Sequence, residues 1–313
     1  MLEFAPIIVF TYNRPVHTGK TLNALMQNEL ASESVLYIYC DGAKENATEE
    51  QKEKIKQVRE VVQKKQWCKE VHIIESEQNK GLADSIIGGV TEVINKHGKV
   101  IVLEDDIVTS KGFLRYMNDA LCFYEKELKV MHICAYMYPH KEKLPETFFF
   151  EVPYPGGGWA TWNRAWQYFK NDAQYFYDYF EQHQAWDIFN KFGGKYLQKQ
   201  LKVNVDGKLY TWFIKWHGTL LLQNGLTLYP YCSLTQNIGF DNEATNCSAM
   251  TKFDVDYLAD YVKVEPIPLM ESKKATRIIV RFYQGRLYPI RRFLINATPE
   301  FVKTMLKKIL HFK

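Results

Sequence analysis

Three acids in a row, Glu104-Asp105-Asp106, follow directly on the apolar run Val100-Ile101-Val102-Leu103. Adjacent carboxylates at the end of a buried strand repel one another and resist desolvation, a cost that a bound divalent cation or cationic group offsets. Mg²⁺ and Mn²⁺ take hard oxygen ligands and commonly bridge one or two carboxylates to a diphosphate, so the triplet is a candidate for that chemistry. The plainer reading is a solvated strand-to-helix loop whose acids favour the dipole of the next helix. Spacing alone leaves the two level. Asp41-Gly42 closes a second apolar run, Val35-Leu36-Tyr37-Ile38-Tyr39-Cys40, where the carboxylate either accepts hydrogen bonds from a nucleobase or ribose or makes a plain Asp-Gly turn. Arg14, in Thr11-Tyr12-Asn13-Arg14-Pro15, can grip a phosphate with two parallel bonds or lie on the surface before a helix.

Other constellations carry less. Gly156-Gly157-Gly158-Trp159 is either a flexible loop that lets backbone approach a ligand or a tight connection. No Gly-Lys-Ser/Thr follows it and no G-x-G-x-x-G context surrounds it, which disfavours P-loop nucleotide hydrolysis and dinucleotide redox. There is no Gly-x-Ser-x-Gly elbow, and no two histidines stand four residues apart. His17 reads as an exposed helix residue. The six cysteines form no CxxC pair or zinc-spaced cluster, so buried reduced thiols are expected.

The elements that must position these residues alternate in type. Apolar runs at 6–10, 35–40, 71–74, 99–103 and 130–134 read as strands, continuous as expected where both faces are covered. Helical patterns lie between them. One covers 18–27, and another covers 47–66 with Ile55, Val58 and Val62 on one face. A third runs through Leu82, Ile86, Val90, Val93 and Ile94 to a stop at His97-Gly98. A fourth, capped by Thr109-Ser110, carries Phe113, Leu114, Met117, Leu121 and Tyr124. This alternation predicts an α/β fold with a mostly parallel sheet, helices on both faces and ligands at the carboxyl ends of the strands. Arg14, Asp41 and the acid triplet would then share one edge. Residues 136–250 are aromatic-rich, with helices expected over about 161–182 and 211–223 and a strand at 226–230. Such aromatics are more often core than binding platform, although Trp and Tyr at a pocket mouth stack on sugar rings.

The composition, 46% apolar and 24% charged, is that of a globular protein. No apolar run reaches the roughly 18–20 residues of a bilayer crossing, and the first residues lack a signal peptide's basic start, so membrane-spanning and secreted classes are not expected. The net charge of +4 is unevenly placed: residues 272–313 hold 11 Lys/Arg and one acid, while the rest hold 29 bases and 35 acids. Near the end, apolar residues at 301, 302, 305, 306, 309 and 310 form a helical stripe with lysines beside it. A basic amphipathic helix of this kind reads as an anchor to an anionic membrane surface, or as a helix packed on the acidic body. Nucleic acid is a weaker partner, because the body is acidic and no recognised module is present.

Several of these segments, taken in order, resemble a known family. Val9-Phe10-Thr11-Tyr12-Asn13-Arg14-Pro15, Tyr39-Cys40-Asp41-Gly42, Asn79-Lys80-Gly81-Leu82-Ala83-Asp84-Ser85 and Leu103-Glu104-Asp105-Asp106 look like the GT-A (Rossmann-like) glycosyltransferases. They most resemble bacterial family 2-like enzymes related to N-acetylglucosaminyltransferase I. Gly157-Gly158-Trp159-Ala160-Thr161-Trp162, Asn224-Gly225-Leu226-Thr227-Leu228-Tyr229-Pro230 and Gln236-Asn237-Ile238-Gly239-Phe240-Asp241 resemble later elements of that group, so the likeness spans about residues 5–247. It implies a donor-binding half over 1–135 and an acceptor-side half over 136–250, and it leaves 251–313 uncovered as a basic C-terminal extension. It also implies a UDP-sugar donor flanked by Thr11 and Arg14, with Asp41 at the uracil, Lys80 to Ala83 (Leu82 among them) lining the pocket and Trp159 nearby. Glu104 and Asp105 would contact donor sugar and ribose, and Asp106 would hold Mn²⁺ or Mg²⁺.

The implied reaction is transfer of a sugar, N-acetylglucosamine or a related hexose, to a polysaccharide or lipid-linked acceptor with inversion, at the inner face of the plasma membrane. The ion stabilises the leaving diphosphate, and a general base takes the acceptor proton. Here the chain departs from the family. Relatives carry Asp-Ser-Trp where this sequence reads Tyr210-Thr211-Trp212, and a phenol of pKa near 10 is a poor base. Asp206 moving in, another acid such as Asp241 or Glu243, or a catalytically impaired donor-binding protein all remain open. A nucleotidyltransferase ranks below these, because its Gly-rich N-terminal loop is absent.

Overall fold

The computed structural model describes residues 4–191, 195–239 and 251–284. In chain order the elements are β1 (Ile7–Thr11), α1 (Pro15–Met26), β2 (Val35–Cys40), α2 (Glu49–Gln63), β3 (Glu70–Glu75), α3 (Leu82–His97), β4 (Lys99–Glu104), β5 (Ile107–Thr109), α4 (Phe113–Phe123) and β6 (Val130–Cys134). There follow β7 (Thr147–Phe150), β8 (Trp159–Trp162), α5 (Asn163–Trp166), α6 (Ala173–Gln182), α7 (Trp186–Phe189), α8 (Tyr196–Val205), α9 (Phe213–Leu222), β9 (Leu226–Pro230), β10 (Thr235–Asn237) and α10 (Lys273–Gln284).

Eight strands make one sheet in the order β3-β2-β1-β4-β8-β6-β9-β7. The first four are mutually parallel, β6 and β9 run with them, and β8 and β7 are antiparallel to their neighbours. Side chains alternate across each strand, so Ile8 and Phe10 enter one core with Val100 and Val102, while Ile7 and Val9 enter the other with Ile101 and Leu103. The mostly parallel α/β architecture expected from the alternation is the one observed. Local chemistry fixes the helix ends. Pro15 opens α1, Thr48 and Gln51 cap each other across the start of α2, and Gly98 ends α3 in the left-handed region at φ 77°.

Thr109-Ser110 does not cap α4: Thr109 ends β5, and the helix starts after Gly112 with no side-chain cap. A second expectation also changes. The helix expected over 161–182 is instead strand β8, one turn of α5, and then α6. Trp162, Trp166 and Phe169 have helical spacing, but β4 takes β8 as its partner, with Ile101 opposite Ala160 and Val102 opposite Trp159. Residues 251–284 pack against the elements that precede them. Ala259 and Val262 are buried, Ser272 N donates to Phe149 O at 2.9 Å, and α10 buries Ala275, Ile278 and Ile279. The stripe at 301–310 lies outside the described residues. Cys40, Cys68, Cys122, Cys134 and Cys232 are free thiols; Cys40, Cys68 and Cys134 are buried as expected, whereas Cys122 is exposed and Cys232 half-buried.

Candidate functional site at the carboxyl edge

Parallel pairing brings the ends of β2, β1 and β4 side by side: Cys40 lies opposite Thr11, and Phe10 opposite Glu104. Beyond Glu104 the chain turns into β5, which pairs antiparallel with β10 so that Asn237 faces Ile107. Ile238 N donates to Asp106 O at 2.9 Å, and Arg14 Nη2 donates to Gly239 O at 3.0 Å. The ribbon thus carries residues 237–239 onto the acid triplet from more than 130 positions away in sequence.

Arg14 is 8% exposed, and its Nη1 meets Asp106 Oδ2 at 3.0 Å. The other oxygen, Asp106 Oδ1, is buried and has no hydrogen-bond partner among the described residues. Asp105 Oδ2 accepts from Tyr12 N at 3.3 Å, and its carbonyl accepts from the Thr21 hydroxyl at 2.8 Å. Desolvation in this recess, then repulsion from Asp106 and Asp105, raises the Glu104 carboxyl. Desolvation and the charge of Asp106 likewise raise Asp105. Desolvation raises Asp106 too, while Arg14 and His17 oppose the shift. His17, read from sequence as exposed, is only 6% exposed and lies within electrostatic reach of Asp106. No sequence signal distinguished it from an exposed histidine one turn into a helix. Among the described residues no three His, Cys, Asp or Glu side chains converge as a closed metal cage. The set instead fits an ion held by one carboxylate oxygen and completed by ligand oxygens and water, the manner in which Mg²⁺ is commonly bound.

Asp41 is committed to its own loop. Oδ1 accepts from Gly42 N at 2.9 Å and Lys80 N at 2.8 Å, while Oδ2 accepts from Asn79 Nδ2 at 2.9 Å and Gly81 N at 3.0 Å. These bonds hold residues 79–81 against the end of β2 and set the start of α3. Asp41 N in turn donates to Thr11 O at 3.0 Å, and Thr11 is 4% exposed. The Lys80 side chain and Leu82 point to solvent, Leu82 being 42% exposed.

Trp159, expected near the donor, is 1% exposed and packs on Trp212 at 5.0 Å and His132 at 5.3 Å between ring centroids. It belongs to the core, because β8 is an interior strand. The glycine run before it is the tight connection of the two readings: a Cβ on Gly157 would come within 2.2 Å of Tyr136 Cβ. Asn237 Nδ2 donates to Gly156 O at 3.2 Å and ties this connection to the ribbon. Of the base candidates, Asp206 ends α8 and pairs with Lys202 at 2.7 Å and Lys208 at 3.9 Å, and the Lys202 hydrogen bond lowers its carboxyl pKa. Tyr210 is half exposed; burial raises its phenol, with the Asn171 hydrogen bond opposing the shift and Asp84 adding to it. Asp241 lies outside the described residues.

Fold and site together define an α/β protein with a recessed, acid-lined edge at the carboxyl ends of β1, β2 and β4. No protein-family model matches the sequence, and no curated protein matches it. Among solved structures the chain is similar to S. aureus TarS 1-349, at 18% identity and a TM-score of 0.33 over 47% of this chain and 41% of that one. It is similar to a second S. aureus TarS structure at 17% identity and a TM-score of 0.30, covering 46% of this chain and 23% of that one. A cytidylyltransferase from Leptospira borgpetersenii serovar Hardjo-bovis matches at 12% identity and a TM-score of 0.29, covering 42% and 54%. The chain spans less than two thirds of the length of each.

Proposed function

We propose that this protein is a metal-dependent glycosyltransferase that moves a sugar, N-acetylglucosamine or a related hexose, from a UDP-sugar to a polysaccharide or lipid-linked acceptor with inversion. The observation that carries the reading is the divided Asp106 carboxylate, one oxygen pinned by Arg14 and the other buried without a partner among the described residues. A buried, unsatisfied carboxylate oxygen costs roughly 1–3 kcal/mol, and a bound cation offsets that cost. Mn²⁺ or Mg²⁺ on Asp106 Oδ1 would supply Lewis-acid stabilisation of the charge on a departing diphosphate. Arg14 adds a second positive charge beside Asp106 and aims the carboxylate. Glu104 and Asp105 line the recess, and Asp41 shapes its wall through residues 79–81.

Titration calorimetry of UDP against the full chain tests the reading. Binding is expected with Mn²⁺ and not with chelator, and Asp106→Asn is expected to weaken it on the order of 100-fold, since a metal contact is worth several kcal/mol. UDP binding that is absent, or indifferent to Mn²⁺ and to Asp106→Asn, sinks the proposal. The second reading, a donor-binding protein without turnover, draws on Tyr210 standing where a carboxylate base was expected and on the pairing of Asp206 with two lysines.

We also propose that the protein works against an anionic membrane surface. Among the described residues no helix is long and apolar enough to cross a membrane. The outer face of α10 exposes Lys273, Lys274, Arg277 and Arg281, and Lys141 and Lys143 stand exposed on the adjoining loop, where Arg281 pairs with Glu142 at 3.8 Å. Each such base contributes about 1 kcal/mol near an anionic leaflet. Flotation with phosphatidylserine vesicles, and not with phosphatidylcholine alone, is expected and should fall when Lys273, Lys274 and Arg277 are all changed to Glu. Truncation after Gln284 leaves buried Ile278 and Ile279 in place and isolates the contribution of residues 285–313. Flotation indifferent to both changes rules out the membrane role.

A further inference from the structure

Four polar side chains from three separate segments meet beside the start of α3. Tyr210 Oη donates to Asp84 Oδ1 at 2.9 Å and accepts from Asn171 Nδ2 at 2.7 Å. Asn171 Oδ1 accepts from Lys215 Nζ, and that ammonium sits 3.8 Å above the Tyr210 ring. Lys215 is 1% exposed, and burial pushes it down to about 8 while the charges of Asp84 and Asp172 act the other way. The chain of contacts ends on an exposed carboxylate: Asp84 is open to solvent, and its Oδ2 accepts no bond from the described residues. Asp84 lies in the first turn of α3, three residues beyond Gly81, whose N–H is held by Asp41 at the carboxyl end of β2, so that turn starts from the sheet edge on which β1 and β4 also end.

We propose that Asp84 is the proton acceptor for the attacking hydroxyl, with Tyr210 as the residue that positions it. The assignment rests on the glycosyltransferase reading above. It follows from a carboxylate with one oxygen oriented by a donor and the other open, the arrangement a general base needs. In the step, Asp84 Oδ2 takes the acceptor's O–H proton as the acceptor oxygen bonds to the anomeric carbon. The bond from that carbon to the diphosphate breaks, its electron pair leaves with UDP, and Asp84 later returns its proton to solvent. Tyr210 at the position where a carboxylate was expected is thereby accounted for: the carboxylate comes from α3, and the phenol holds it.

The test uses the full chain with UDP-N-acetylglucosamine, Mn²⁺ and water as the smallest hydroxyl acceptor, with UDP release and UDP affinity measured separately. Asp84→Asn preserves the shape and the bond from Tyr210, and it is expected to slow UDP release at least about 100-fold with UDP affinity and melting temperature unchanged. Tyr210→Phe should slow release on the order of 10-fold, the worth of a hydrogen bond to a charged group, again without a change in affinity. Asp84→Glu should recover part of the rate. Asp84→Asn releasing UDP within threefold of wild type overturns the assignment, as does a loss of UDP affinity in that variant. Wild type that binds UDP but turns nothing over also overturns it while leaving donor binding intact. Wild type that binds no UDP overturns the function proposed above, and the base falls with it.

Discussion

Gly239→Ala is expected to weaken Mn²⁺-dependent UDP binding at least about 100-fold while the protein stays folded. A Cβ at this position would stand 1.9 Å from Asp106 Oδ2 and 2.7 Å from both Asp106 Cγ and Arg14 Nη1. The end of a flexible side chain could normally swing away at small cost, but Asp106 is short and its Oδ2 is pinned by Arg14. The backbone of Gly239 cannot retreat easily either. Its N–H donates to Asn237 Oδ1 at 2.7 Å, its carbonyl accepts from Arg14, and the preceding residue is bonded to Asp106 O. The added methyl must part Arg14 from Asp106 or lift the ribbon, and breaking such a recessed ion pair costs roughly 3–5 kcal/mol. UDP titration with Mn²⁺ beside a thermal melt reads both consequences. An alanine variant with wild-type affinity would show that the close approach of residue 239 to Asp106 has no part in binding.

Trp159→Ala is expected to destabilise the protein by about 3–5 kcal/mol, the usual cost of truncating a buried Trp. Its ring fills a fully covered space between the sheet and the aromatic helices, against Trp212, His132 and Trp166. No relaxation of rigid rings closes a hole of that size. The midpoint of urea denaturation should fall accordingly, and Trp159→Phe, which keeps an aromatic ring there, should fold and bind UDP within about twofold of wild type. If Trp159→Phe instead lost UDP affinity without losing stability, the residue would be a sugar platform after all. The contrast with Gly239 is instructive: the smaller change acts on the site, and the larger one on the fold.

The parallel half of the sheet was legible in sequence because its strands are continuous apolar runs separated by amphipathic helices, a pattern set within windows of about 15 residues. Asp41 and the acid triplet were legible for the same reason, as polar residues ending apolar runs. What they do was less so. Asp41 was a candidate uracil contact, whereas its carboxylate accepts four bonds from Gly42 and residues 79–81. Strand β8 was misread because tryptophans with helical spacing can equally line an interior strand, and only the vacancy beside β4 decides between them. His17 went unseen because its burial depends on the chain packed over α1 and not on its neighbours in sequence.

By itself, the sequence determined the α/β class, the positions of the central strands and the acids at their carboxyl ends. Those features arise from local periodicity and from the cost of burying charge. Tertiary structure alone decided that Arg14 divides the Asp106 carboxylate, that Gly239 closes over it and that Tyr210 reaches Asp84. Those contacts join residues 92, 225 and 126 positions apart. No local pattern encodes them, because they depend on the strand order and the crossovers that carry the chain back to one edge.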